Sequence, residues 1–230
     1  MQVFLNTHRP RCLDDLVYPN SAVETSIRRY TEQQLPRCLL LYGPYGTGKT
    51  VMIDVIARKL AGDEGYESNR ALILSGAEAT TVGKIAKLRG TFGNVPFGSS
   101  YHVYQINELH LTPAGAQAAL RDVIDTAYNH RSAVILVTAN DLGKVDEAVK
   151  DRCETIYIGS ANANRWLLRA QKILARERIS LPDDVLLQTL TQAISNGGGS
   201  IRRIMATLFD LVVQAREHKK SLEQADQNEP

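Results

Sequence analysis

Five short apolar runs organise the first part of the chain: Cys38–Tyr42, Ala71–Leu74, Tyr101–Ile106, Ala133–Thr138 and Thr155–Ile158. Each is bounded by glycine or polar residues, and helix-like patterns separate most of them. Cys38-Leu39-Leu40-Leu41-Tyr42 and Ala133-Val134-Ile135-Leu136-Val137 show no strict polar alternation, which fits strands buried on both faces. The pattern predicts an α/β fold, with a five-stranded parallel sheet flanked by helices.

After Gly159 the strand pattern stops. Three helical segments follow, at Asn162–Arg178, Pro182–Ser195 and Ser200–Lys219, with Ser180 and Pro182 marking the start of the second. Gly197-Gly198-Gly199 reads as a turn before the last helix. The expected division is an α/β core over 1–160, a small all-helical domain over 161–220, and a polar tail over 221–230 that frays. There is no internal repeat.

Composition narrows the class without naming a partner. With 230 residues, 43% hydrophobic and 23% charged, the chain can bury one substantial core and a satellite domain, which excludes disorder and fibrous architecture. A net charge of +2 neither requires nor excludes nucleic acid. Cys12, Cys38 and Cys153 are odd in number and widely spaced, with no CxxC or histidine pattern, and read as cytosolic thiols. No segment approaches the roughly 20 apolar residues of a membrane span. A soluble cytoplasmic protein without a membrane partner is expected.

The chemistry begins at Gly43-Pro44-Tyr45-Gly46-Thr47-Gly48-Lys49-Thr50, which matches GxxxxGK[ST] directly after an apolar strand and before the helical pattern Val51–Leu60. Glycines there let backbone N–H groups turn inward around phosphates at a helix N-terminus. Lys49 is the candidate for the β/γ-phosphates and Thr50 for magnesium. At the end of a later strand, Val103-Tyr104-Gln105-Ile106-Asn107-Glu108 places Glu108 to polarise water. Asn107 stands where an aspartate is usual; its amide oxygen can hold magnesium's water shell without supplying charge, so weaker metal binding or slow turnover is expected.

From these motifs onward the chain resembles the clamp-loader branch of AAA+ ATPases, both the bacterial ATPase subunits and the small subunits of replication factor C. Tyr104–Thr112 is similar to that family's strand-to-helix junction, and the helix Pro113–Ala127 follows as expected. Val134-Ile135-Leu136-Val137-Thr138-Ala139-Asn140 resembles the sensor-1 strand, which implies that Asn140 positions water against the γ-phosphate. Lys150-Asp151-Arg152-Cys153 is similar to the Ser-Arg-Cys motif, which implies that Arg152 acts in trans on a neighbour's nucleotide; an Arg152–Asp151 pair is the competing reading. Gly199-Ser200-Ile201-Arg202-Arg203 resembles sensor 2 and implies that Arg202 closes over the nucleotide. Arg9-Pro10 and Leu13–Val17 resemble the adenine-pocket segment, with Pro10 and Val17 against the base. The resemblance implies ATP and Mg²⁺ as cofactors, an AAA+ core with a helical lid, and a homo- or hetero-oligomeric ring or spiral. The zinc module of the bacterial subunits and the helical collar that follows the lid are not found in this sequence.

Whether the chain touches duplex DNA is open at this stage. The stretch Ser75–Lys87 corresponds to the family's DNA-lining segment, and Thr80, Thr81 and Lys84 are its candidate phosphate contacts. Arg165, Arg169, Lys172 and Arg176 recur at helical spacing and read as a solvated basic face or a partner surface. His8, His102 and His110 form no metal or stacking pattern. The expected function is ATP-driven assembly on DNA that loads or recruits a partner protein. Two alternatives stand beside it: a protein-remodelling ring, for which Phe92 and Phe97 in Gly90–Gly98 would serve as an aromatic pore loop, and a regulatory subunit whose Asn107 slows hydrolysis.

Overall fold

The structure is a computed structural model that describes residues 1–33, 38–68, 73–75, 83, 85, 88, 90, 92, 102–129 and 133–227. It has a five-stranded sheet: β1 (Cys38–Tyr42), β2 (Ile73–Ser75), β3 (His102–Asn107), β4 (Ala133–Ala139) and β5 (Glu154–Tyr157), in the order β2-β3-β4-β1-β5. Every neighbouring pair is parallel. Around it lie α2 (Ser21–Gln33), α3 (Lys49–Ser68), α4 (Ala114–Asn129) and the short α5 (Glu147–Lys150). The first helix, α1 (Gln2–Thr7), and α6 (Ala163–Arg176), α7 (Asp183–Gly197) and α8 (Ile201–Gln227) belong elsewhere.

The apolar runs become strands because both faces of the sheet are covered. All seven residues of β4 are buried, as are the first four of β1. Cys38, Leu40, Tyr104, Ile106, Ile135 and Val137 share one cluster with Leu120, Val123 and Ile124 of α4. Gln117 of α4 is a satisfied polar insertion in this packing. Its Nε2 donates to the carbonyls of Thr112 (2.9 Å) and Lys144 (3.0 Å), and its Oε1 accepts from the Asp146 N–H (2.8 Å). One side chain thus ties the start of α4 to the loop that leads into α5.

Two compact units result, one of Pro10–Leu16 and Asn20–Gly159, the other of Met1–Arg9, Val17–Pro19 and Ser160–Pro230. The N-terminal nine residues were expected with the core but pack with the C-terminal helices. Phe4 sets its ring edge-on to Phe209, centroids 5.4 Å apart. His8 Nε2 meets Glu177 Oε1 at 2.6 Å, Arg216 pairs with the same carboxylate, and Arg169 donates to the His8 carbonyl (2.7 Å). Arg169 is therefore buried, and the four-residue basic face expected on α6 is reduced to Arg165, Lys172 and Arg176.

Two further expectations change. The last helix does not end at Lys219: Ser221–Gln227, expected to fray, continues α8, since Leu222, Glu223, Gln224 and Ala225 are good helix formers and no proline lies between Lys219 and Pro230. Cys38 and Cys153 are joined as a disulfide, where separate thiols were expected, and Cys12 is free and exposed. Leu39 is in register with Glu154 across β1 and β5, which brings the two cysteine Cα atoms to 4.5 Å although 115 residues separate them.

Leu40, fully buried at the centre of the sheet, tests this account of the core against Leu168, which is 63% exposed on α6. Leu40→Ala is expected to lower unfolding free energy by about 2–5 kcal/mol, and Leu168→Ala by less than about 0.5 kcal/mol, in urea titrations.

Candidate nucleotide site

Parallel strands bring their C-terminal ends to one edge, where ligands collect in open α/β sheets. From β1 the chain enters the Gly43–Gly48 loop, and α3 starts at Lys49. Gly43 has φ 142°, and a Cβ there would lie 2.3 Å from the Ile158 carbonyl oxygen, so no side chain fits. Its N–H donates to the Ala139 carbonyl (3.3 Å), which pins the loop to the end of β4.

Lys49 is buried, and its Nζ donates to the carbonyls of Gly43 (2.9 Å) and Pro44 (2.7 Å). Thr47 Oγ1 donates to the same Pro44 carbonyl (3.0 Å). Burial pushes the Lys49 ammonium down to about 8, against the opposing pull of the Glu108 charge. This buried ammonium donates to neutral carbonyls only, and phosphate oxygens at the helix N-terminus would supply charged acceptors beyond the pull of Glu108. The loop therefore fits a polyphosphate, and Thr50, exposed in the first turn of α3, offers its hydroxyl for Mg²⁺.

Asn107 ends β3 and Glu108 follows at φ 59°, ψ 45°, a left-handed conformation unusual for glutamate. Thr138 of β4 holds both. Its hydroxyl accepts from the Glu108 N–H (2.9 Å) and donates to Asn107 Oδ1 (3.5 Å), using the donor and acceptor capacity of one oxygen. Asn140 leaves β4 at the same edge, and its N–H donates to Nδ1 of His110 (3.2 Å). Burial pushes the His110 imidazole below its ordinary range, chiefly through desolvation. The Tyr45 ring, 72% exposed, stands edge-on to His110 with centroids 6.3 Å apart.

Arg152 lies at the opposite edge. It follows α5 and precedes β5, its Nε donates to Asp125 Oδ1 of α4 (2.7 Å), and its Nη1 donates to the Ala148 carbonyl (2.9 Å). The Tyr128 hydroxyl donates to the Arg152 carbonyl (3.1 Å). The partner is thus Asp125 rather than the adjacent Asp151, which contributes only a lesser charge effect in raising the guanidinium pKa. Sequence reading did not find Asp125, Thr138 or His110, because their roles come from residues 27 to 31 positions away.

The remaining candidates are divided. Pro10 belongs to the α/β unit, whereas Val17 packs with the helical cluster and Arg202 is exposed in the first turn of α8. Thr80, Thr81 and Lys84 lie outside the described residues, as does Phe97. Phe92 is 1% exposed and packs edge-on to Tyr104, centroids 5.0 Å apart, so it is a core residue and not a pore-loop aromatic.

With this geometry in place, residues 39–160 match the AAA family, the ATPase family associated with various cellular activities. More than half of the chain is matched, and the protein belongs to that family. It is similar to replication factor C subunit 3 of Oryza sativa subsp. japonica, 29% identical over 84% of this chain and 53% of the relative. It is similar also to human replication factor C subunit 5, 26% identical over 89% of this chain and 58% of the relative. The chain spans about half the length of these curated relatives. In fold it is similar to the Thermotoga maritima RuvB Holliday junction branch migration motor, with TM-score 0.68, 16% identity, and 94% of this chain and 67% of that one covered. Domain III of the replication initiation protein DnaA from Thermotoga maritima is similar in fold as well, with TM-score 0.61, 15% identity, and 91% and 90% covered. The expected clamp-loader-like AAA+ family and five-stranded α/β core are borne out.

The low Lys49 value has a measurable consequence. Above about pH 8 the free protein carries a neutral Lys49, and a nucleotide that restores its charge must bind together with a proton. ATP affinity is expected to fall by up to about tenfold per pH unit above that value. Calorimetry in buffers of different ionisation enthalpy should show proton uptake, and Lys49→Arg should remove it.

Proposed function

We propose that this protein binds ATP with Mg²⁺ at the C-terminal edge of its sheet and hydrolyses it at sites completed by a neighbouring subunit. Strand direction carries this reading. Leu39 is in register with Glu154, so Arg152 lies beyond the N-terminal end of β1, about six strand positions or roughly 20 Å from Gly43. An arginine side chain does not span that distance, so the cation needed at the γ-phosphate comes from another copy or a related subunit.

Within the site, Lys49 and the loop N–H groups hold the phosphates, and Thr50, with Asn107 through water, positions the metal. Mg²⁺ supplies charge neutralisation on the phosphate oxygens. Glu108 orients the attacking water, Asn140 donates toward the transferred group, and a neighbour's Arg152 stabilises charge in the transition state. For Arg202, and for Pro10 and Val17, the proposed roles are those that the family resemblance implies, a closing arginine and the adenine segment. The similarity to replication factor C supports a ring or spiral that assembles on duplex DNA and loads or recruits a protein partner, with Thr80, Thr81 and Lys84 as candidate DNA contacts. The buried Phe92 weakens the remodelling alternative. The disulfide removes the thiol argument for a cytoplasmic protein, and that assignment rests on the DNA-directed reading alone.

Steady-state ATPase measurements with and without duplex DNA test the shared site. Arg152→Ala and Glu108→Gln are each expected to lose turnover by about 10³-fold or more, and their mixture to recover part of it, since one retains an intact nucleotide site and the other an intact arginine. Specific activity independent of protein concentration, or no recovery on mixing although the two variants co-assemble, would overturn the interfacial mechanism. Tight ATP binding without turnover in the unmodified protein would identify a regulatory subunit.

A further inference from the structure

His110 touches Asn140 twice. The Asn140 backbone N–H donates to Nδ1 at 3.2 Å, and the Asn140 side-chain amide lies 3.4 Å from Nε2 through the atom placed as Nδ2. A neutral imidazole has one N–H and one bare nitrogen, so the two contacts cannot both be N–H groups donating to the ring. The backbone contact has a fixed sense: an amide N–H only donates, and Nδ1 is therefore the bare nitrogen. Nε2 then carries the proton and needs an acceptor. The side-chain amide can meet that need only by presenting Oδ1, which is the same group turned over, its oxygen and nitrogen exchanged.

We infer that His110 is a positioning residue that fixes the orientation of the Asn140 amide, holding its oxygen and leaving its NH₂ as the end available to the nucleotide. The inference rests on the proposed role of Asn140 and adds to it. An asparagine free to turn over would present a carbonyl oxygen to the γ-phosphate about as readily as a donor, and an oxygen there repels the charge it is meant to stabilise. With His110 in place the repulsive orientation also costs the Nε2–H its partner. His110 is 8% exposed, so no solvent readily replaces that partner.

Burial favours the neutral ring that the arrangement requires. Desolvation is the largest influence; Lys144 and Lys49 add to it, while Glu108 and Asp141 pull the other way, and the Tyr45 ring lies edge-on to the imidazole. A second proton would occupy Nδ1 and turn its accepted hydrogen bond into a clash of two N–H groups.

Two substitutions separate the two contacts. His110→Asn keeps an acceptor near the Nδ1 position but has no donor at Nε2, whereas His110→Gln places its NH₂ near Nε2. Asn140→Ala sets the reference. The expected result is that Asn140→Ala and His110→Asn each lower kcat about tenfold, with ATP affinity and the circular dichroism spectrum preserved, and that their combination is no worse than either. His110→Gln should recover most of the activity, and the acid limb of the kcat profile, below the ordinary histidine range, should be missing from it. If Asn140→Ala leaves kcat unchanged, the Asn140 role fails and the inference with it. If Asn140→Ala lowers kcat but His110→Asn does not, or their losses multiply, Asn140 keeps its role and the positioning by His110 is refuted.

Discussion

Strand direction is the constraint on which the site depends. In β2-β3-β4-β1-β5 each strand runs parallel to its neighbours, so residues that leave strands share one edge and residues that enter them share the other. Gly43, Glu108 and Asn140 leave strands; Arg152 precedes one. An antiparallel β5 would bring the arginine beside Gly43 and allow a self-sufficient nucleotide site. With β5 parallel, a site that uses this arginine must be divided between subunits. If Arg152 serves a nucleotide as proposed, the need for a second subunit follows from the hydrogen-bond ladder, before any surface is considered.

At the nucleotide edge, polar groups sit where the sheet would otherwise bury apolar ones, and each is held by an element distant in sequence. Glu108 in a left-handed conformation costs of order 1 kcal/mol for a residue with a Cβ. The hydrogen bond from its N–H to Thr138 offsets that cost and sets the direction in which the chain leaves β3. His110 does the equivalent for Asn140, and Gln117 for the loop before α5. On the other edge, Asp125 and the Ala148 carbonyl hold Arg152 while its guanidinium is partly exposed. Precision on both edges therefore draws on α4, through Gln117 and Asp125, and on β4, whose residues are all buried and which carries Thr138.

What could be read from sequence follows from the range of each interaction. The strands were legible to within about a residue at most of their ends, because burial on both faces produces apolar runs with abrupt limits, and the phosphate loop was legible because its glycines, Lys49 and Thr50 act within eight positions. The Cys38–Cys153 link, the docking of α1 on the C-terminal helices and the burial of Arg169 were not, since each is decided by partners more than 100 residues away. His110 was visible as a residue, yet its meaning lay in Asn140, thirty positions on and brought close only by the pairing of β3 with β4. The polar stretch after Lys219 misled for the opposite reason: without apolar periodicity, local helix propensity was left out of account.

Asn107 and the lowered Lys49 are two sides of one electrostatic fact. Burial of an ammonium is offset by nearby negative charge, and among the described residues the charge that offsets it here is that of Glu108. An aspartate at 107 would stand one residue away and add a second carboxylate; an asparagine contributes a dipole, already engaged by the Thr138 hydroxyl. The free site consequently leaves its lysine short of anions, which makes the triphosphate itself the chief source of compensating charge. Under the roles proposed for these residues, an asparagine at 107 leaves both the magnesium shell and Lys49 without a carboxylate that an aspartate would supply, and the phosphates become the larger source of compensating charge.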